Sequence, residues 1–259
     1  MTNSGTTVLT DPWFYIVGGF AVLVVGLSKS GFLTGLGVLG VPILTFVMAP
    51  VQAAAILLPI LIAMDVVGVW AYRQNWDRRN LLLLIPSAAI GIAIGWATAA
   101  YVTDAAVRLI VGSIGLIFAI DHWLRLRPAA GGRAGTLAGL FWGSLTGFVS
   151  FVSHAGSPPF QIYVMPQRLQ PVVYAGTSTM LFAVVNLLKV GPYLALGQFD
   201  VENLKASLVL LPLAPAGVFL GLHLIKRIPS EPFYRLAYVL LLIVSIKLIV
   251  DGSIGSLWV

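Results

Sequence analysis

The sequence contains no cysteine and few charged residues, and both absences narrow what the chain can be. Without cysteine there is no disulfide, no thiolate ligand for a metal and no cysteine nucleophile. Charged residues make up 9% of the 259 positions, whereas soluble domains contain about 25%. Hydrophobic residues make up 59%. This composition is typical of an integral membrane protein.

Long stretches of the chain carry no charge at all. They lie at 30–64, 81–102, 134–153, 169–188, 206–222 and 236–246. About 20 apolar residues, each adding about 1.5 Å of helix, cross a bilayer core about 30 Å thick. So many charge-free tracts in one short chain cannot all be the core of a globule. The sequence therefore predicts an all-α polytopic protein that contacts the lipid bilayer.

The net charge of +6 does not indicate a nucleic-acid partner. The basic residues lie in short clusters between the apolar tracts, as in loops that face an anionic cytoplasmic leaflet. We therefore expect no nucleic acid to bind.

One pattern of glycine, proline and acidic positions occurs twice along the chain. The matched pairs are Gly18 and Gly135, Gly26 and Gly143, Pro42 and Pro159, and Asp65 and Asn186, at offsets that rise from 117 to 121. A shared order with a slowly rising offset is hard to obtain by chance, and many transporters are built from repeats. The sequence predicts two halves, 13–125 and 136–251, within a single membrane domain.

Each half is predicted to contain four transmembrane helices and one short broken or re-entrant segment. The predicted helices are 13–34, 51–72, 81–101, 105–124, 136–153, 171–197, 204–225 and 233–250. Between the first two helices of each half, glycine and proline interrupt the apolar sequence. The breaks are at 35–42, followed by a short helix at 43–49, and at 153–159, followed by one at 160–165.

The distribution of Lys and Arg predicts how the halves are related. If each broken segment returns, the halves are inverted and nearly all loop bases lie inside. The inner bases are then Arg73, Arg78, Arg79, Arg125, Arg127, Arg133, Arg168, Lys226, Arg227 and Arg235, with Arg108 and Lys205 outside. If the broken segments do not return, the Lys and Arg residues of the loops divide almost evenly between the two sides of the membrane. We predict inverted repeats with both termini outside.

The two breaks are the predicted substrate site. Irregular backbone at membrane depth survives only when it is buried in protein or lines a polar cavity. Short helices after the breaks would direct amide groups and a positive dipole end at an anion. The candidate substrate-binding residues are Ser28, Lys29, Thr34, Gly35, Gly37, Gly40, Ser153, His154, Gly156, Ser157, Thr177, Ser178, Asn186 and Lys189. Helix kinking for packing alone is the alternative.

Four ionisable side chains at the edges of the charge-free tracts have two readings each. Lys29 and Lys189 are either counter-charges for an anion or lysines that extend to the membrane surface. Asp65, matched by Asn186, either couples transport to protons or braces a distorted helix. His154 either has a hydrogen-bonding or protonatable role or lies at the membrane interface. It has no second ligand at metal spacing, so we expect no metal and no cofactor.

Glycine recurs every fourth residue at one place in the chain. Gly135, Gly139, Gly143 and Gly147 give a smooth helix face for close packing, either within the chain or in a homodimer.

Two other function classes remain open at this point. An intramembrane enzyme would need a nucleophile–base pair or a metal set. The sequence has neither His-Glu-x-x-His nor Gly-x-Ser-x-Gly, so we do not expect an enzyme. A passive anion channel would show nearly the same pattern as a carrier.

Several short motifs resemble those of the sulfite exporter (TauE/SafE) family. They are the glycine-rich break at 35–42, Asp65 with Arg73, Gly176-Thr-Ser178, and Asn186-Leu-Leu-Lys189 running to Gly197-Gln-Phe-Asp200. The resemblance covers essentially the whole chain. It implies a permease of the bacterial inner membrane that exports sulfite or small organosulfonates such as sulfoacetate.

Overall fold

A computed structural model describes residues 8–31, 34–99, 101–124, 135–197 and 199–256. These residues form helices, and no strand occurs among them. Within this part of the chain, seven helices are long and apolar enough to cross a membrane, and one bent pair supplies an eighth span. The predicted all-α polytopic fold is confirmed.

The helices follow the predicted order. In the first half they are α1 (Pro12–Lys29), α2 (Gly40–Leu44), α3 (Pro50–Tyr72), α4 (Arg78–Ala97) and α5 (Asp104–Leu124). In the second half they are α6 (Thr136–Ser153), α7 (Ser157–Val164), α8 (Pro171–Ala195), α9 (Val201–Leu210), α10 (Leu213–Ile225) and α11 (Ser230–Ser256). Short 3-10 helices lie at Val8–Thr10, Thr34–Leu39 and Met165–Gln167.

Several of the predicted boundaries differ from the structure. The predicted helices 81–101 and 233–250 are Arg78–Ala97 and Ser230–Ser256. The first helix ends at Lys29 rather than at 34, because the chain turns through Gly31 at a φ of +80°. The short helices begin at Gly40 and Ser157, a few residues before the predicted starts at 43 and 160. The linker between the halves, with Arg125, Arg127 and Arg133, lies outside the described residues.

The predicted single helix 204–225 is two helices, α9 and α10, which meet at a bend of 46°. Pro212 lies at this bend. Proline has no N–H to donate and its ring clashes with the carbonyl four residues earlier, so it commonly kinks a helix.

The first broken segment, Thr34–Leu44, folds back along α1, and we call it the first fold-back. The Gly37 N–H donates to Ser28 Oγ at 2.7 Å, and Leu44 packs in one cluster with Ala21. As the residue number rises along the fold-back, its partners in α1 lie progressively earlier. The segment therefore returns toward the end of the molecule at which α1 begins.

The second broken segment, Ser157–Val164, is the second fold-back and runs against α6 in the same way. Gly156 lies against Ser150, whereas Tyr163 lies against Gly139, three turns earlier in α6. Both breaks therefore reverse the chain direction rather than continuing a span.

Glycines allow the two halves to pack closely against each other. Gly26 of α1 faces the backbone of Gly217 in α10, and Gly147 of α6 faces the backbone of Ala88 in α4. Gly139 and Gly143 also face α4, so most of the predicted glycine face packs within the chain. The first helix of each half thus packs on the other half. An inverted relation between the halves stays a prediction.

We expect Gly26→Ala to lower the thermal unfolding temperature of the purified protein in detergent. An ideal Cβ at Gly26 would lie 2.8 Å from the Gly217 Cα, and such overpacking costs about 1–3 kcal/mol. Gly191→Ala in α8 is the matched control, because no atom lies within 4 Å of its Cβ position. Its unfolding temperature should stay equal or rise, since alanine favours helix. Equal losses in the two variants would contradict the proposed packing.

Candidate functional site

An internal cavity of ≈ 60 Å³ lies where the starts of the two fold-backs meet α1, α3 and α8. A water takes up about 30 Å³ in the liquid, so this is space on the order of two waters or a small ion. Ten of the fourteen predicted substrate-binding residues line it: Ser28, Lys29, Thr34, Gly37, His154, Gly156, Ser157, Ser178, Asn186 and Lys189.

The other four predicted residues lie off this cavity. Gly35 faces Leu240 of α11, and Gly40 faces Val25 of α1. Thr177 links two backbones: its hydroxyl donates to the Val173 carbonyl at 2.7 Å and accepts the Asp77 N–H at 2.9 Å. Ser153 lines a neighbouring cavity instead.

The first break satisfies its own backbone through Ser28. The Ser28 hydroxyl donates to the Thr34 carbonyl at 3.0 Å and accepts the Gly37 N–H at 2.7 Å. The backbone beyond Lys29 is also bonded, because the Ser30 carbonyl accepts the Tyr72 hydroxyl. Since unpaired backbone groups are costly away from water, these bonds stabilise the irregular segment within the helix bundle.

The second break offers fewer amide donors than the sequence analysis predicts. Pro158 and Pro159 occupy the first turn of α7, and proline has no N–H. Gly156 and Ser157 still line the cavity at the start of α7. The start of α7 therefore offers fewer backbone N–H donors than predicted, and more of the polar groups at the cavity come from side chains.

Asp65 is held between the two halves. Its Oδ1 accepts from the Lys29 ammonium at 2.5 Å, and its Oδ2 accepts from Asn186 Nδ2 at 2.7 Å. Asp65 is 4% exposed. A buried carboxylate is stable when it is paired and hydrogen-bonded, and both conditions are met here. This geometry makes Asp65 a brace that joins α1, α3 and α8.

Lys189 has no such partner. Its side chain is buried at 1% exposure, and Nζ lies 3.3 Å from the Ser150 carbonyl and 3.5 Å from His154 Nδ1. Among the ion pairs of the described residues, none includes Lys189. When Lys189 is protonated, no carboxylate of the described residues lies within ion-pair distance of its charge.

His154 lies between Lys189 and Tyr193. Its Nε2 lies 2.5 Å from the Tyr193 hydroxyl. When Lys189 is protonated it can only donate, and Nδ1 then accepts while the ring proton lies on Nε2. The residue caps α6 at a φ of +52°, a left-handed conformation that is uncommon outside glycine.

A second cavity, of ≈ 290 Å³, lies on the other side of His154. It is at the end of the molecule where α3 and α5 begin and α8 ends. Its polar lining consists of Asp104, Arg108, Ser153, His154 and Tyr193. Val41 and His154 border both cavities, and Tyr193, which contacts His154, lines the larger one.

Sequence reasoning missed two residues that complete the site. Phe182 lines the small cavity, and Tyr193 contacts His154. Tyr193 follows Lys189 by four residues and so shares its helix face, a spacing that could have identified it.

The described residues contain no group of three His, Cys, Asp or Glu side chains that could hold a metal ion. The arrangement can therefore be described as a polar cavity with a surplus ammonium, one ion pair and several hydroxyls.

No curated protein and no solved structure matches the chain. The family model described as sulfite exporter TauE/SafE matches residues 18–248, nearly the whole chain. This match includes both fold-backs, the Lys29–Asp65 pair and Lys189. The chain belongs to the sulfite exporter TauE/SafE family of membrane transporters.

Proposed function

We propose that this chain is a secondary transporter of small anions, with sulfite as the substrate, and that the small cavity binds the anion. The observation that carries the proposal is the Lys189 ammonium, buried beside the cavity without a carboxylate partner. Family membership supports a sulfite or related anion as the substrate class.

An isolated buried charge costs several kcal/mol even after the surroundings relax. Lysine could be replaced by an apolar residue of similar size if α8 needed only packing at this position. An anion in the cavity would supply the missing negative charge, and hydroxyls such as Ser178 would donate further hydrogen bonds. The cavity therefore favours binding of an anion.

The anion would enter through the second cavity and pass His154 and Tyr193. His154 lines both spaces, and Tyr193, whose hydroxyl lies beside His154 Nε2, lines the second cavity. On the opposite side, the Ser30 carbonyl is bonded to Tyr72 and Gly31 lies against Ala175. This geometry fits a state with the small cavity closed and its nearest route leading to the second cavity.

Among the family's anions, the cavity fits sulfite better than sulfoacetate. Sulfoacetate adds two carbons and a carboxylate to the sulfonate group, and a cavity of ≈ 60 Å³ is small for it. We therefore propose sulfite as the anion bound in this conformation.

Both fold-backs support an inverted relation between the halves, because each returns the chain along the preceding helix. Together with the ten-to-two distribution of bases, they support a protein of the bacterial inner membrane with both termini outside. The single membrane domain would then contain two halves, 13–125 and 136–251, of opposite orientation.

We expect Lys189→Met to reduce sulfite uptake into proteoliposomes by about 10- to 100-fold, as loss of a hydrogen bond to a charged group does. Methionine preserves the volume and removes the unpaired charge, so the unfolding temperature should not fall. Lys205→Met is the matched control, because Lys205 is exposed and pairs with Glu202 on the surface. Wild-type uptake by Lys189→Met would refute the proposed site.

Counterflow separates a carrier from a passive channel. Proteoliposomes loaded with unlabelled sulfite should accumulate labelled sulfite transiently above its outside concentration, because a carrier exchanges one anion for another. Simple equilibration of the label would favour the channel alternative.

Cysteine labelling tests the orientation, and the natural chain has no cysteine to interfere. Asp200→Cys and Asp251→Cys should react with a membrane-impermeant maleimide added outside intact cells, whereas Arg227→Cys should react only after lysis. Outside labelling of Arg227→Cys would overturn the proposed orientation.

A further inference from the structure

The charges around the small cavity do not cancel. Its charged lining consists of Lys29 and Lys189, and Asp65 lies directly behind Lys29. The carboxylate cancels one ammonium and leaves one positive charge. His154 is neutral by its hydrogen bonds, and Tyr193 is uncharged.

The next charged group is Arg108, in the second cavity. It is paired with Asp104 at 2.6 Å and lies 3.7 Å from Asp251. The surplus charge on the described residues at the small cavity is therefore a single positive one.

We propose that the cavity selects monovalent oxyanions, that hydrogen sulfite is the form of sulfite it binds, and that Asp65 determines this selectivity. The inference rests on the proposed function. In an enclosed space an uncompensated charge is poorly screened, so the best-bound solute leaves the loaded site neutral. A monoanion does so with Lys189. A dianion would leave one negative charge in excess.

The volume of the small cavity favours the same kind of solute as its surplus charge does. Hydrogen sulfite has four heavy atoms, and a cavity of ≈ 60 Å³ is on the scale of so small an ion. Sulfoacetate is divalent, so its charge exceeds the surplus charge at the cavity, and it is also large for the cavity volume. Sulfate is close to sulfite in size but is divalent near neutral pH. Its binding therefore tests the effect of the solute's charge separately from the effect of its size.

Two substitutions change the surplus charge in a controlled way. Asp65→Asn raises it to two and keeps a side chain of the same shape beside Asn186. Lys29→Met combined with Asp65→Asn removes the ion pair as a unit and returns the surplus to one. The two variants share the loss of the carboxylate and differ in charge.

The experiment measures inhibition of labelled sulfite uptake into proteoliposomes by methanesulfonate, a monoanion, and by sulfate. In the wild type, methanesulfonate should inhibit at least about tenfold more strongly than sulfate, because an unpaired charge in the interior is costly. Asp65→Asn should reduce this ratio by about tenfold or more, and the double variant should restore it. Equal inhibition by the two anions in the wild type would overturn the proposal, as would an unchanged ratio in Asp65→Asn.

A pH series on the wild type tests the same inference without a substitution. Uptake at constant total sulfite should fall as the pH rises and hydrogen sulfite loses its proton. Labelled methanesulfonate stays monovalent and reports any change in the protein itself. Sulfite uptake that rises with pH relative to methanesulfonate uptake would show that the dianion is carried. If the wild type moves no anion at all, the proposed function fails, whereas transport of divalent anions removes only the selectivity.

Discussion

Backbone that leaves a regular helix inside a bilayer must be enclosed by protein, and the rest of this structure depends on that constraint. Each fold-back lies against the helix that precedes it, and the long helices of both halves surround the pair. One hydroxyl, that of Ser28, satisfies both a carbonyl and an amide of the first break. Irregular segments cannot pack as closely as two straight helices. A cavity between their starting ends is the physical result of enclosing them together.

The two halves differ in the charged residues that they carry at matched positions of the internal repeat. At the offsets of the internal repeat, Asp65 corresponds to Asn186, and Lys189 corresponds to Gly68. The amide in the second half does not form its own ion pair; instead it donates to the carboxylate of the first. Among the described residues, Lys189 of α8 consequently has no carboxylate as an ion-pair partner. The charged residues at these matched positions therefore differ between the two halves.

Helix order and approximate length could be read from the apolar tracts, because the bilayer sets the length of any helix that crosses it. The effect of each proline on the course of its helix could not be read from the sequence. Pro86 lies inside a continuous α4, whereas Pro212 separates α9 from α10. Both residues lack an N–H. They differ in packing: α4 packs mainly on α6, whereas α9 packs mainly on α3 and α10 packs on both α1 and α3. Tertiary contacts decide whether a proline bends a helix.

The sequence by itself determined the membrane environment, the two breaks and most of the residues around the cavity, because composition, charge-free length and glycine–proline spacing are local properties of the chain. Only the tertiary structure decided which lysine is paired. Lys29 and Lys189 look alike in sequence, as ammonium groups in apolar tracts. Asp65 comes within 2.5 Å of Lys29 because α1 and α3 are packed side by side, whereas Lys189 meets a carbonyl and an imidazole. Pairing depends on distances across the bundle, and no spacing along one helix encodes them.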